Sequence, residues 1–118
     1  MTDKQIEATR IIETIGTIRF VTKETIIKLT CEYFGIPESN LIGKRTHKSN
    51  RNDSSQRFIC WYLIYKNTKN VEQSIADYFG FSRMTVHYGI AQVVGWLKVN
   101  EAQTVLAVEE IEEKIKKL

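Results

Sequence analysis

Ser82, Arg83, Met84, Thr85, His87 and Tyr88 crowd the seven residues that follow Phe81. Together they offer a guanidinium, an imidazole, a phenol, two hydroxyls and a thioether. Displayed on the first turns of a helix, such a set can contact base edges in the major groove of DNA. Arg83 is suited to guanine, whose O6 and N7 accept a paired guanidinium contact, and Met84 to a thymine methyl. Catalysis finds less support. His47 and His87 are the only histidines, and neither has Cys, His or a carboxylate at metal-ligand spacing. Cys31 and Cys60 each fall on an apolar helical face, where a buried structural thiol is the usual outcome. There is no nucleophile elbow, no HExxH, and no glycine-rich phosphate loop of either common form. The expectation is a protein that is not an enzyme and that uses no metal and no cofactor.

The elements that would present these side chains can be read from residues 70–98. Asn70 with Gln73 suggests a cap before Val71, Ile75, Ala76 and Phe79. Gly80 then breaks the helix, and Ser82 caps a second one bearing Val86, Ile90, Val93 and Leu97. Two helices about three residues apart predict a helix-turn-helix. That motif needs a small residue where the helices cross, which is Ala76. It needs a positive φ in the turn, which Gly80 adopts freely. It also needs apolar residues on either side, which Ile75, Phe79, Phe81 and Val86 supply. Gly89 falls where a further apolar residue is expected, with Ile90 beside it to fill the position.

Helical spacing dominates elsewhere too, and the fold class expected is all-α with about six helices in a single domain, 1–118. An N-terminal helix is expected within 1–20, from about Asp3 to Arg19, with Ile6, Ile12 and Ile15 on one stripe. A second starts after Thr22 and ends at Gly35. A short third opens at Pro37 and stops near Gly43. Residues 44–56 lack any apolar period and read as a basic loop. From about Ser55 to Lys66 comes a helix apolar on nearly every side, which should be the centre of the core. An amphipathic helix within 100–118, opened by Asn100 with Gln103, carries Val105, Val108, Ile111, Ile115 and Leu118. Its stripe is expected to pack inward, with a dimer seam as the alternative.

Charge is unevenly spread. Residues 44–100 hold nine Lys/Arg against three Asp/Glu, while 1–43 hold five against six and 101–118 hold three against five. A cationic middle points to an anionic partner. Lys44, Arg45, Lys48, Arg51 and Lys69 are the candidates for phosphate contact. No membrane-spanning run and no signal peptide is read, and two cysteines suggest no disulfide framework, so a cytoplasmic setting is expected.

From about Val21 to Leu97 the chain resembles the C-terminal, DNA-box-binding domain of the bacterial replication initiator DnaA. The resemblance rests on TKETIIKLTCEYFGIPESNLIGKRT at 22–46, RFICWYL at 57–63 and IADYFGFSRMTV at 75–86, in that order. It implies that Arg57 enters the minor groove. It also implies that Arg83, Met84 and Thr85 read the major groove, that Tyr88 stands where the family has a later histidine, and that Lys44 and Arg45 belong to a basic loop. Three departures bear on specificity. Phe81-Ser82-Arg83 replaces the family's Arg-Asp-His, Ala91-Gln92 replaces a basic pair, and Gln56 stands where the family has proline before Arg57. No part of the sequence resembles the initiator's ATPase module, so a stand-alone domain is expected.

The function expected is sequence-preferring binding of double-stranded DNA, in regulation of replication or transcription in a bacterium, phage or mobile element. The readers would be Ser82, Arg83, Met84, Thr85, His87 and Tyr88, with Arg57 in the minor groove. Two alternatives stand beside it. One is a protein-interaction module on a DnaA-like fold that no longer binds DNA, using the N- or C-terminal helix toward a replication protein or a second copy. The other is a dimeric repressor resembling the Trp repressor, with a palindromic site.

Overall fold

The computed structural model describes residues 21–42 and 51–118, the side chains of 51–53 excepted. The expected N-terminal helix, His47, and the phosphate candidates Lys44, Arg45 and Lys48 lie outside the described residues, as does the side chain of Arg51.

Five α-helices follow one another, and the described residues contain no strand: α1 (Lys23–Phe34), α2 (Arg51–Asn67), α3 (Glu72–Phe79), α4 (Arg83–Lys98) and α5 (Ala102–Lys116). A single 3-10 turn, Glu38–Asn40, stands where the short helix after Pro37 was expected. Thr22 caps α1 by accepting from the Thr25 amide, and Gly35 ends it in the left-handed region at φ 68°.

The central helix is α2, which packs against each of the other four. Ile59, Cys60, Trp61, Leu63 and Ile64 are all buried, as a helix apolar on most sides requires. Burial pushes the Cys60 thiol far above its ordinary pKa, and the half-buried Cys31 shifts the same way for the same reason. Both are free thiols held in their uncharged, unreactive form.

α2 starts at Arg51, so the last part of the segment read as a loop is helical. An apolar period marks a helix only where one face is buried. A polar opening turn has no such period to show, and α2 continues outward from its buried half.

Two caps shift by one residue. Val71, not Asn70, occupies the position before α3, and no side chain caps it. The Asn70 amide instead donates to the Thr68 hydroxyl, while its carbonyl oxygen accepts from Ser74. Glu101, not Asn100, caps α5 by accepting from the Thr104 amide at 2.8 Å. Asn100 takes the left-handed turn position instead, at φ 54°.

The stripe of α5 faces inward. Ala107, Val108, Ile111 and Ile115 are buried, and the helix packs on α1, α2 and α4. Lys66 near the end of α2 and Glu112 on α5 form an ion pair at 2.9 Å, and this raises the Lys66 pKa. The middle of the stripe therefore packs within the chain, while Val105 is half-buried and Leu118, at its end, is exposed.

Candidate nucleic-acid interface

The helix-turn-helix is α3, the three residues Gly80-Phe81-Ser82, and α4. Gly80 has φ 80°, a conformation other residues adopt only under strain. The amides of Gly80 and Phe81 both donate to the Ala76 carbonyl, at 2.8 and 3.0 Å, which closes the end of α3. Ile75, Ala76, Phe79 and Val86 are buried around the turn. Ser82 then opens α4. Its hydroxyl accepts from the Thr85 amide at 3.1 Å and lies 2.9 Å from the Thr85 hydroxyl. A Ser82→Ala variant should lose about 1 kcal/mol of stability, measured by urea unfolding, because the Thr85 amide is left without its side-chain acceptor.

Aromatic contacts hold this unit to the core. Trp61 of α2 is fully buried and meets Phe79 and Phe81 edge to face, at 6.1 and 5.1 Å between ring centroids. Phe58, one turn earlier, meets Tyr88 and Trp96 of α4. Between them lies Gly89. A Cβ built there would stand 2.6 Å from Phe58 Cδ1 and 2.9 Å from Trp61 Cε3. The position expected to carry an apolar side chain is thus filled from the other helix. The two rings of α2 occupy the space, and α4 approaches closely because it has no side chain there.

With its inner face fixed in this way, α4 presents the opposite face of its first two turns to solvent. Ser82, Arg83, Met84, His87 and Tyr88 are exposed, Met84 and Tyr88 at 65% and 57%, and Thr85 lies half-buried on the flank. Lys69 is exposed in the connection between α2 and α3. Six of the residues singled out from sequence are therefore gathered at one helix start.

Arg57 stands apart from these six. It is only 9% exposed and is turned into the protein. Its Nη2 donates to the Asn40 carbonyl at 3.4 Å, and its guanidinium lies over the Phe81 ring, 4.9 Å from the centroid. It joins α2 to the 3-10 turn and to the turn of the helix-turn-helix. Position along the chain could not reveal this, because Phe81 is 24 residues away in sequence.

One residue was missed altogether. Glu72, the first residue of α3, places one carboxylate oxygen 3.5 Å from Arg83 Nη1 and the other 2.8 Å from His87 Nδ1. Arg83 and His87 are four apart on α4, so one carboxylate can bridge both. Among the described residues no group of three or more His, Cys, Asp and Glu could hold a metal ion. No helix there is long and apolar enough to cross a membrane.

The family model for the bacterial dnaA protein helix-turn-helix matches residues 23–93, from the start of α1 into α4. This chain belongs to that family. Apart from Thr22, the match spans the three stretches that carried the resemblance, and the family is one of DNA-binding domains rather than catalytic ones. Membership thus agrees with the all-helical fold and points to DNA as the partner. A search of curated proteins gave no match.

Proposed function

We propose that this protein binds double-stranded DNA with sequence preference and acts as a regulator of replication or transcription. The observation that carries this is the exposed start of α4, capped at Ser82 and locked from behind by Phe58, Trp61 and Gly89. A recognition helix has to be rigid and free on its outer face, and this one meets both conditions. Arg83 and His87 supply hydrogen-bonding groups to base edges. Met84 and Tyr88 supply apolar contact, including the methyl of thymine. Ser82 and Thr85 bond to each other, so their share is to fix the helix start and approach the backbone beside it. Lys44, Arg45, Lys48, Arg51 and Lys69 position the domain on phosphates. Arg57 supports the turn from within.

The departures from the family at Phe81-Ser82-Arg83 and Ala91-Gln92 support a target site other than the family's own. The protein would work in the bacterial, phage or mobile-element cytoplasm where such sites occur. The buried stripe of α5 favours this reading over a protein-interaction module docking through that helix.

Selection of bound duplexes from a random library tests the proposal. A consensus should emerge, and its affinity should fall steeply as salt rises, because each neutralised phosphate releases counterions. With five phosphate-binding cations, the slope of log K against log [salt] should be about −4.5. A library that yields no consensus, or binding indifferent to salt, overturns it.

A further inference from the structure

We infer that Glu72 is a specificity-determining positioning residue, which sets the hydrogen-bond polarity of the reading face of α4. This rests on the DNA-binding role proposed above. Glu72 lies at the start of α3, its side chain only 18% exposed, and its two carboxylate oxygens face Arg83 and His87 separately. A lone acidic group beside a phosphate-binding surface opposes binding to every sequence alike. Its placement between two reading side chains gives it a different use.

Arg83 has five donors in a rigid fork. Pairing Nη1 with the carboxylate restrains the swing of the long side chain, which stays half-exposed and keeps its other donors for guanine O6 and N7. His87 is governed more strictly. A carboxylate only accepts, so Nδ1 at 2.8 Å must carry a hydrogen and donate it. In the neutral ring, Nε2 is then a bare acceptor. A bare acceptor suits the exocyclic amino group of adenine or cytosine and rejects the carbonyl edges of guanine and thymine. One buried-edge carboxylate therefore fixes a donor and an acceptor one helical turn apart. The site it favours has guanine opposite Arg83 and an amino-bearing base opposite His87.

The test compares wild type, Glu72→Gln, Glu72→Ala, Arg83→Ala and the double variant Glu72→Gln/Arg83→Ala on the selected duplex, on single-base-pair changes of it, and on unrelated duplex. In Glu72→Gln the amide can offer its NH2 as well as its oxygen to Nδ1, so the ring is no longer held in one tautomer. Discrimination should fall by about tenfold at the guanine and at the amino-bearing base, in both Glu72 variants. Affinity for unrelated duplex should rise by about twofold, since an anionic group has left the surface. A merely structural role would lower both affinities together and depress the melting temperature. If Glu72 works through Arg83, adding Glu72→Gln to Arg83→Ala should leave discrimination at the guanine where Arg83→Ala alone put it.

Glu72 variants that discriminate as wild type does, while Arg83→Ala does not, overturn this inference and leave DNA recognition standing. Sharper discrimination and tighter specific binding on loss of Glu72 overturn it as well, for then the carboxylate competes with DNA for Arg83. A wild type that distinguishes no duplex from another overturns the DNA-binding role, and this inference with it.

Discussion

An Arg83→Glu variant should lose at least about a hundredfold in affinity for the selected duplex, while binding unrelated duplex only moderately more weakly. Two effects add. The proposed guanidinium contact to a base edge, about 1–3 kcal/mol of discrimination, would disappear. A carboxylate then faces the acceptor atoms and phosphates of DNA beside the existing carboxylate of Glu72, and like charges in an interface cost several kcal/mol. The fold should survive. Position 83 is the first residue of α4, where the positive end of the helix dipole tolerates or favours an acid. An unchanged melting curve with lost gel-shift retention is the expected pair of results. Retention of the selected duplex at wild-type affinity would show that α4 does not read it.

Gly89→Ala should destabilise the protein by about 1–3 kcal/mol, although alanine is the better helix former by nearly 1 kcal/mol. The new methyl would overlap Phe58 and Trp61. The Phe58 ring is only half-buried and can pivot, but Trp61 is fully buried between Phe79 and Phe81 and has nowhere to go. Gly95, on the same helix, is the control. Nothing lies within 4 Å of a Cβ built there, so Gly95→Ala should stabilise by about 0.5–1 kcal/mol through backbone entropy alone. Urea unfolding of the two variants should therefore move in opposite directions. A Gly89→Ala protein at least as stable as wild type would mean that α4 does not sit as closely on α2 as described.

These two residues also show where sequence reasoning reached and where it stopped. The exposed place of Arg83 at the start of α4 was legible because local rules surround it. A glycine with positive φ, a serine cap and apolar residues on both sides of a short turn are each encoded within a few neighbours. Gly89 was legible only as an irregularity. Its reason lies in the volume of two rings on another helix, more than 25 residues away in the chain. The displaced caps at Val71 and Glu101 have a local cause of another kind. Asn70 and Asn100 are good caps by type, but each found different use in its turn, Asn70 bonding Thr68 and Ser74 and Asn100 adopting the left-handed conformation.

By itself the sequence determined the helical class, the central place of α2, the helix-turn-helix with its glycine and serine, and the inward stripe of α5. All of these follow from periodicity and from residues that act on their immediate neighbours. Only the tertiary structure decided that Arg57 turns inward onto Phe81 and Asn40, that rings of α2 fill the space left by Gly89, and that Glu72 spans Arg83 and His87. Each of these joins residues from different elements. Pairings of that kind depend on how the helices cross, and the crossing is set by the packing of the whole core, which no short stretch of chain specifies.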